Sequence, residues 1–218
     1  IALILFIINT SALVVPPNPY SFDEFGSPNY FTSLPIGTTF DCTDTGKLID
    51  FPNSTFKLLP DANRIRKQKL CITPTEIVLH WSAGVVVNGA LATYNTLVKR
   101  DLACHFATDP DTTLQMLQTW ERKVEYSACQ GSPHNAFAVG IEMSGTCFSS
   151  MPGSCYGVNN PPPDSEIQRT VDLVCWLKKQ YNINTIIGHY EIPYSGKSDP
   201  GKDFLYQTFL PKVNIQCP

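Results

Sequence analysis

The chain has 218 residues, with 16 Lys plus Arg against 19 Asp plus Glu and a formal net charge of −3. Charged residues make up 16% and apolar residues 43%, where an average soluble domain is roughly 25% charged. Intrinsic disorder needs lower hydrophobicity and higher net charge. Collagen needs about one-third glycine, against 13 glycines here. Nucleic-acid binding normally rests on a basic surplus, so no nucleic-acid partner is expected.

Ile1 to Val15 reads IALILFIINTSALVV, an uncharged apolar run. It is shorter than the ~20 residues of a membrane span and suits the apolar region of a secretory signal. Cleavage is expected after Ala12, with the basic start of the signal missing from the sequence. A truncated membrane anchor is the alternative. Residues 1–12 are therefore read as signal and the protein as secreted, with no stable membrane association once the signal is removed. Asn53-Ser54-Thr55 is a glycosylation sequon, which fits export. Residues 13–73 are rich in Pro, Asn and Ser and predict an irregular extension.

Eight cysteines are spread along the chain with no C-x-x-C pair. That pattern disfavours zinc knuckles and thioredoxin-like sites and points to disulfides in an oxidising compartment. Cys147 and Cys155 bracket a short loop and are expected to pair. Cys42 and Cys71 are candidates for fastening the extension to the domain that follows.

From residue 74 the texture changes. Glu76 to Trp81 (EIVLHW) predicts a buried strand. Residues 87 to 100 predict a helix with basic residues at its end. Cys104–Thr108 and Thr113–Thr119 predict two strands joined at Asp109-Pro110-Asp111. Ala136 to Ser144 predicts another strand. Ser165 and Gln168 have capping-box spacing, and Ile167, Val171, Val174 and Leu177 recur at helical intervals up to Tyr181. Asn184 to His189 predicts a further buried strand. Asp199-Pro200 reads as an N-cap with proline at the first helical position, opening a last helix. Strands interleaved with helices predict an α/β fold, a central mixed β-sheet flanked by helices.

Two of the four histidines close apolar strands: His80 ends EIVLH and His189 ends TIIGH. Ligands in α/β sheets bind at strand ends, and neighbouring strands could present both imidazoles to one point. Asp199 follows ten residues after His189. Two His and one carboxylate form a zinc set that leaves a position for water. Glu142 lies in an apolar strand, where a carboxylate is costly unless it is paired or functional. Beside activated water it could be a general base. Lys197 could face a developing oxyanion.

Four segments in order carry a family resemblance: His80-Trp81-Ser82-Ala83-Gly84; His105-Phe106 with the DPDTTLQ hairpin; Asn135 through Val139-Gly140-Ile141-Glu142; and Gly188-His189-Tyr190-Glu191-Ile192 with Lys197-Ser198-Asp199-Pro200-Gly201. Together they resemble the type-2 N-acetylmuramoyl-L-alanine amidases, the zinc amidase and peptidoglycan recognition protein superfamily. The resemblance covers about residues 74 to 210, so 74–218 is read as a zinc amidase domain. It implies one zinc ion held by His80, His189 and Asp199. It implies catalysis by Glu142 and Lys197, substrate contacts from Asn135 and Trp81, and a structural place for His105. His134 receives no role. The substrate implied is peptidoglycan or its muropeptides, cut between N-acetylmuramic acid and L-alanine by a monomer. The alternative is a recognition protein that binds without cutting. The chain departs from the family pattern in lacking a His within Glu125 to Cys129 and in having Gly196 where an Arg often precedes the Lys. No H-E-x-x-H stands in the sequence, which disfavours a zinc peptidase of that kind.

Overall fold

The computed structural model describes residues 42–64, 70–82, 88–131, 133–145, 162–193 and 195–218. The expected signal segment, Ala83 and Gly84 of the first motif, and the expected Cys147–Cys155 pair lie outside them. Among the described residues no helix is long and apolar enough to cross a membrane.

Three strands run parallel side by side: β4 (Glu76–Trp81) and β9 (Ala138–Met143) at the centre, with β10 (Thr185–Gly188) at the sheet edge beside β4. β5 (Phe106–Thr108) joins β9 in parallel, and β6 (Thr113–Gln115) turns back antiparallel to β5. With β2 (Thr55–Phe56) at the edge, the six-stranded sheet has the order β10-β4-β9-β5-β6-β2. A four-stranded antiparallel sheet joins β1 (Leu48–Ile49), β7 (Thr119–Trp120), β8 (Val124–Glu125) and β3 (Cys71–Ile72).

The central strands are covered on both faces, which is why their sequences are nearly continuous apolar runs. Ile77, Leu79 and Trp81 of β4 and Val139, Ile141 and Met143 of β9 share one core. That core includes Ile167, Val171 and Val174 of α2 (Asp164–Tyr181), along with Phe204 and Phe209. α1 (Gly89–Lys99) packs Ala90 and Leu97 with Ala107, Leu114 and Met116 in a second core. Strand side chains alternate between faces, so Val78 and His80, Gly140 and Glu142, and Ala107 form the opposite set.

Helix ends depart from the sequence expectation. α2 begins at Asp164 with Pro163 as N-cap, and no side chain caps it. Ser165 is thus inside the first turn and makes no capping box. The amide of Ala90 in the first turn of α1 instead donates to Asp109 Oδ2 at 3.0 Å, while Asp109 Oδ1 accepts from the Asp111 and Thr112 amides. The carboxylate of the β5–β6 turn thereby serves a helix remote in sequence. The last helix begins after Gly201, with a wide-turned segment (Phe204–Phe209) running into α3 (Leu210–Gln216). Asp199 is not its N-cap, because its carboxylate is turned to the histidines.

The stretch read as an extension carries β1, β2 and β3 within its described residues, and these pair with β7, β6 and β8. Cys42–Cys71 ties the first of these described residues to β3. Cys104–Cys129 and Cys175–Cys217 are the other disulfides among the described residues.

Glu166 is fully buried on α2, with Oε1 accepting from Ser144 Oγ at 3.0 Å. Burial pushes its carboxyl from 4.5 up to about 8, against the pull of the Ser144 hydrogen bonds and with the charge of Asp109 adding to the rise. The folded chain therefore holds a proton that the unfolded chain releases as pH rises through the ordinary carboxylate range. Stability attributable to this group falls between about pH 4.5 and 8, by up to about 1.4 kcal/mol per pH unit. Glu166→Gln is expected to flatten that decline in denaturant unfolding measured across this range. Equal slopes for the two proteins would contradict the assignment.

Candidate metal centre and active site

His80 stands in register with Glu142 across β4 and β9, and Glu142 with Ala107 across β9 and β5. Gly188 pairs with Leu79, so His189, one residue on, leaves β10 beside His80. The imidazole rings sit 4.4 Å apart, edge to face. Their Nδ1 atoms are 2.9 Å apart. The loop after β10 returns Asp199 to the same point: the Tyr190 amide donates to the Asp199 carbonyl at 3.0 Å. Ser195 Oγ donates to the His189 carbonyl at 3.1 Å and accepts from the Lys197 amide at 3.3 Å. Asp199 Oδ2 then lies 3.1 Å from His189 Nδ1 and 3.4 Å from His80 Nδ1.

All three residues are less than a tenth exposed. Burial drives the His80 imidazolium down to about 4, opposed by its hydrogen bond to Asp199. The ring is therefore neutral near pH 7, as a metal ligand must be. Burial alone would raise the Asp199 carboxyl, but the hydrogen bonds and charges of His189 and His80 outweigh it, so the group stays an anion. Two neutral-capable imidazole nitrogens and an anionic oxygen converging on one point suit a borderline divalent cation such as zinc. A cation there satisfies all three donors at once.

Glu142 is half-buried next to this cluster. Burial and then the Asp199 charge push its carboxyl from 4.5 up to about 8, while Lys197 and Arg100 pull it down. A base poised near the working pH is what proton transfer requires. Lys197 is exposed on the loop before Asp199.

The structure thus brings His80, His189, Asp199 and Glu142 together, with Lys197 at their edge. It does not bring Trp81 or Asn135 to them. Trp81 is 8% exposed and belongs to the α2-side core, because alternation along β4 turns it away from His80. Asn135 is 1% exposed, and its Oδ1 accepts from the amides of Gln130 and Gly131, closing that turn. Neither faces the cluster. His134 pairs with Glu76 at 2.6 Å, at the start of β4 and away from the site.

His105 has a structural place that the sequence only outlined. The Gly140 amide donates to its Nδ1 at 3.1 Å, which leaves its proton on Nε2, donated to the Glu125 carbonyl at 2.7 Å. Burial holds this imidazolium down at about 4, so the tautomer persists at neutral pH. The disulfide Cys104–Cys129 lies against Gly140, where an added Cβ would stand 2.6 and 2.5 Å from its sulfurs. Each sulfur is within 4.8 Å of a His80 ring nitrogen, but the disulfide leaves no thiolate to bind metal. No local pattern marked that pairing.

With this geometry in place, known proteins bear on it. The family model described as N-acetylmuramoyl-L-alanine amidase matches residues 72–202. The chain belongs to that amidase family. Its fold is also found in a mutant endolysin from Bacillus subtilis, at 20% identity, a TM-score of 0.55 and coverage of 74% of this chain and 98% of that one. The catalytic domain of XlyA gives 20% identity, a TM-score of 0.56 and coverage of 74% and 99%. PlyL gives 20% identity, a TM-score of 0.53 and coverage of 73% and 96%. No curated protein matches the chain. The amidase match contains His80, Glu142, His189, Lys197 and Asp199, so the cluster lies inside the family's segment.

His105→Leu leaves the buried Gly140 amide and Glu125 carbonyl without their partner. It is expected to cost about 1–3 kcal/mol in urea unfolding; a stability within about 0.5 kcal/mol of the parent would contradict this role.

Proposed function

We propose that the protein is a zinc-dependent N-acetylmuramoyl-L-alanine amidase that separates the stem peptide from N-acetylmuramic acid in peptidoglycan. The observation that carries this is the convergence of His80 Nδ1, His189 Nδ1 and Asp199 Oδ2 within 3.4 Å of one another, with Glu142 in register beside His80, inside a chain of the amidase family. Residues 74–218 form the catalytic unit, with residues 13–73 as its extension. The apolar leader and the three described disulfides support export to an oxidising compartment.

His80, His189 and Asp199 would hold one zinc ion, which when bound supplies Lewis acidity and an acidified water. Glu142 takes the proton of the attacking water and passes it to the departing amide nitrogen, so base and acid are one group used twice. Its raised affinity for the proton suits the second half of that task. Lys197, on the mobile end of a four-carbon stem, offers its ammonium to the oxygen that gains charge as the carbonyl becomes tetrahedral. His105, through Gly140, holds the strand that carries Glu142.

The deciding experiment incubates purified protein with peptidoglycan, with and without a chelator. New L-alanine amino termini that vanish with the chelator are expected. Retention on peptidoglycan without release would favour the recognition protein that binds without cutting. Glu142→Gln is expected to keep zinc and lower turnover about 10²–10⁴-fold; undiminished release of peptide would remove Glu142 from the mechanism. Asp199→Ala should lose zinc on dialysis, as read by elemental analysis. Full occupancy after dialysis would exclude Asp199 as a ligand.

A further inference from the structure

We propose that reduction of the Cys104–Cys129 disulfide opens a second metal site, in which two thiolates and the His80 ring take a divalent ion at the expense of the His80–His189–Asp199 set. Cys104 Sγ, Cys129 Sγ and a ring nitrogen of His80 already lie within 4.8 Å of one another. Cys104 and His80 are buried. His80 Nε2 is buried and has no hydrogen-bond partner among the described residues, so one donor of this ring is unspent on the side that the Nδ1 cluster does not use. Gly140 lacks the Cβ that would stand 2.5 Å from Cys129 Sγ and 2.6 Å from Cys104 Sγ, and its amide is fixed by His105 Nδ1. The backbone therefore keeps a space for both sulfurs. Ser127 Oγ, also buried, lies 3.9 Å from Cys129 Sγ and donates to Gln130 Oε1 at 2.8 Å, so the wall beside the sulfur is polar.

The chemistry balances with a phosphine, which gives two electrons and takes the oxygen of a water while the two water protons go to the sulfurs, or with a dithiol. A dithiol gives two electrons and two protons, the two sulfurs become thiols, and the dithiol closes to its own disulfide. Metal binding then expels both thiol protons. Thiolates are softer donors than a carboxylate and favour zinc, so with one equivalent of metal the sulfur site draws the ion from the His80–His189–Asp199 set. Oxidation closes the disulfide, removes both thiolates and returns the ion to the His80–His189–Asp199 set. The sulfur site stands whether or not the protein cuts peptidoglycan.

The test uses the full chain and Co²⁺. One equivalent is added to oxidised protein, and to protein reduced with a water-soluble phosphine that is then removed under argon. A cobalt–thiolate charge-transfer band is expected in the reduced protein and not in the oxidised one. The band should be missing from reduced Cys104→Ser/Cys129→Ser protein, whose remaining cysteines serve as the control. In reduced His80→Asn, whose cysteines are intact, cobalt should bind through sulfur about tenfold or more weakly. This last variant carries the test if the double variant does not fold. Any of three results overturns the proposal: no band in the reduced parent, a band of equal strength in the double variant, or unchanged affinity in His80→Asn.

Discussion

The parallel register of β10, β4 and β9 is the constraint on which the site depends. It sets His80 opposite Glu142 and delivers His189 beside His80. A one-residue slip would send every side chain of a strand to the other face and exchange His80 for Trp81. The register is specified because both faces are buried and unlike. Ile77, Leu79 and Trp81 fill the α2-side core, and alternation along the strand turns His80 to the other face. The row of His80, Glu142 and Ala107 occupies the face that this packing leaves.

Three buried polar groups at one point are costly unless they share a counter-charge. Asp199 remains an anion because two imidazoles approach it, and His80 remains neutral because burial penalises its charge. The same balance prepares the ligand set. The flanking groups are also tied down: His105 holds Gly140, Asp109 holds α1, and the Ser195 hydroxyl links the His189 carbonyl to the Lys197 amide. The geometry of the His80–His189–Asp199 cluster is thus supported by hydrogen bonds outside it, as metal sites commonly require.

Much of this was legible in the sequence, for physical reasons. A histidine ending an apolar strand is exceptional enough to mark itself, and two such endings with a following carboxylate define a cluster. Glu142 stood out as a charge in an apolar run. Long periodic segments such as α2 were readable because burial on one face imposes a period. Local signals failed where a distant partner overrode them. Asp199 carries the pattern of a helix cap, but histidines ten and more residues away claim its carboxylate. Ser165 has capping-box spacing, yet the helix starts one residue earlier, at Asp164. The family resemblance implies substrate contacts from Trp81 and Asn135, whereas strand alternation and a tight turn decide where they point. The two-residue strands β1 to β3 have too little length to show a period, and the partner of each cysteine is set by the fold alone.

On the proposed ligand set, nitrogen and oxygen, without sulfur, bind the ion in the oxidised protein. Zinc K-edge X-ray absorption of oxidised protein loaded with one equivalent reads this shell. A first shell of nitrogen and oxygen at about 2.0–2.2 Å is expected. A sulfur shell at about 2.3 Å, or failure to retain zinc, would contradict the ligand set of His80, His189 and Asp199.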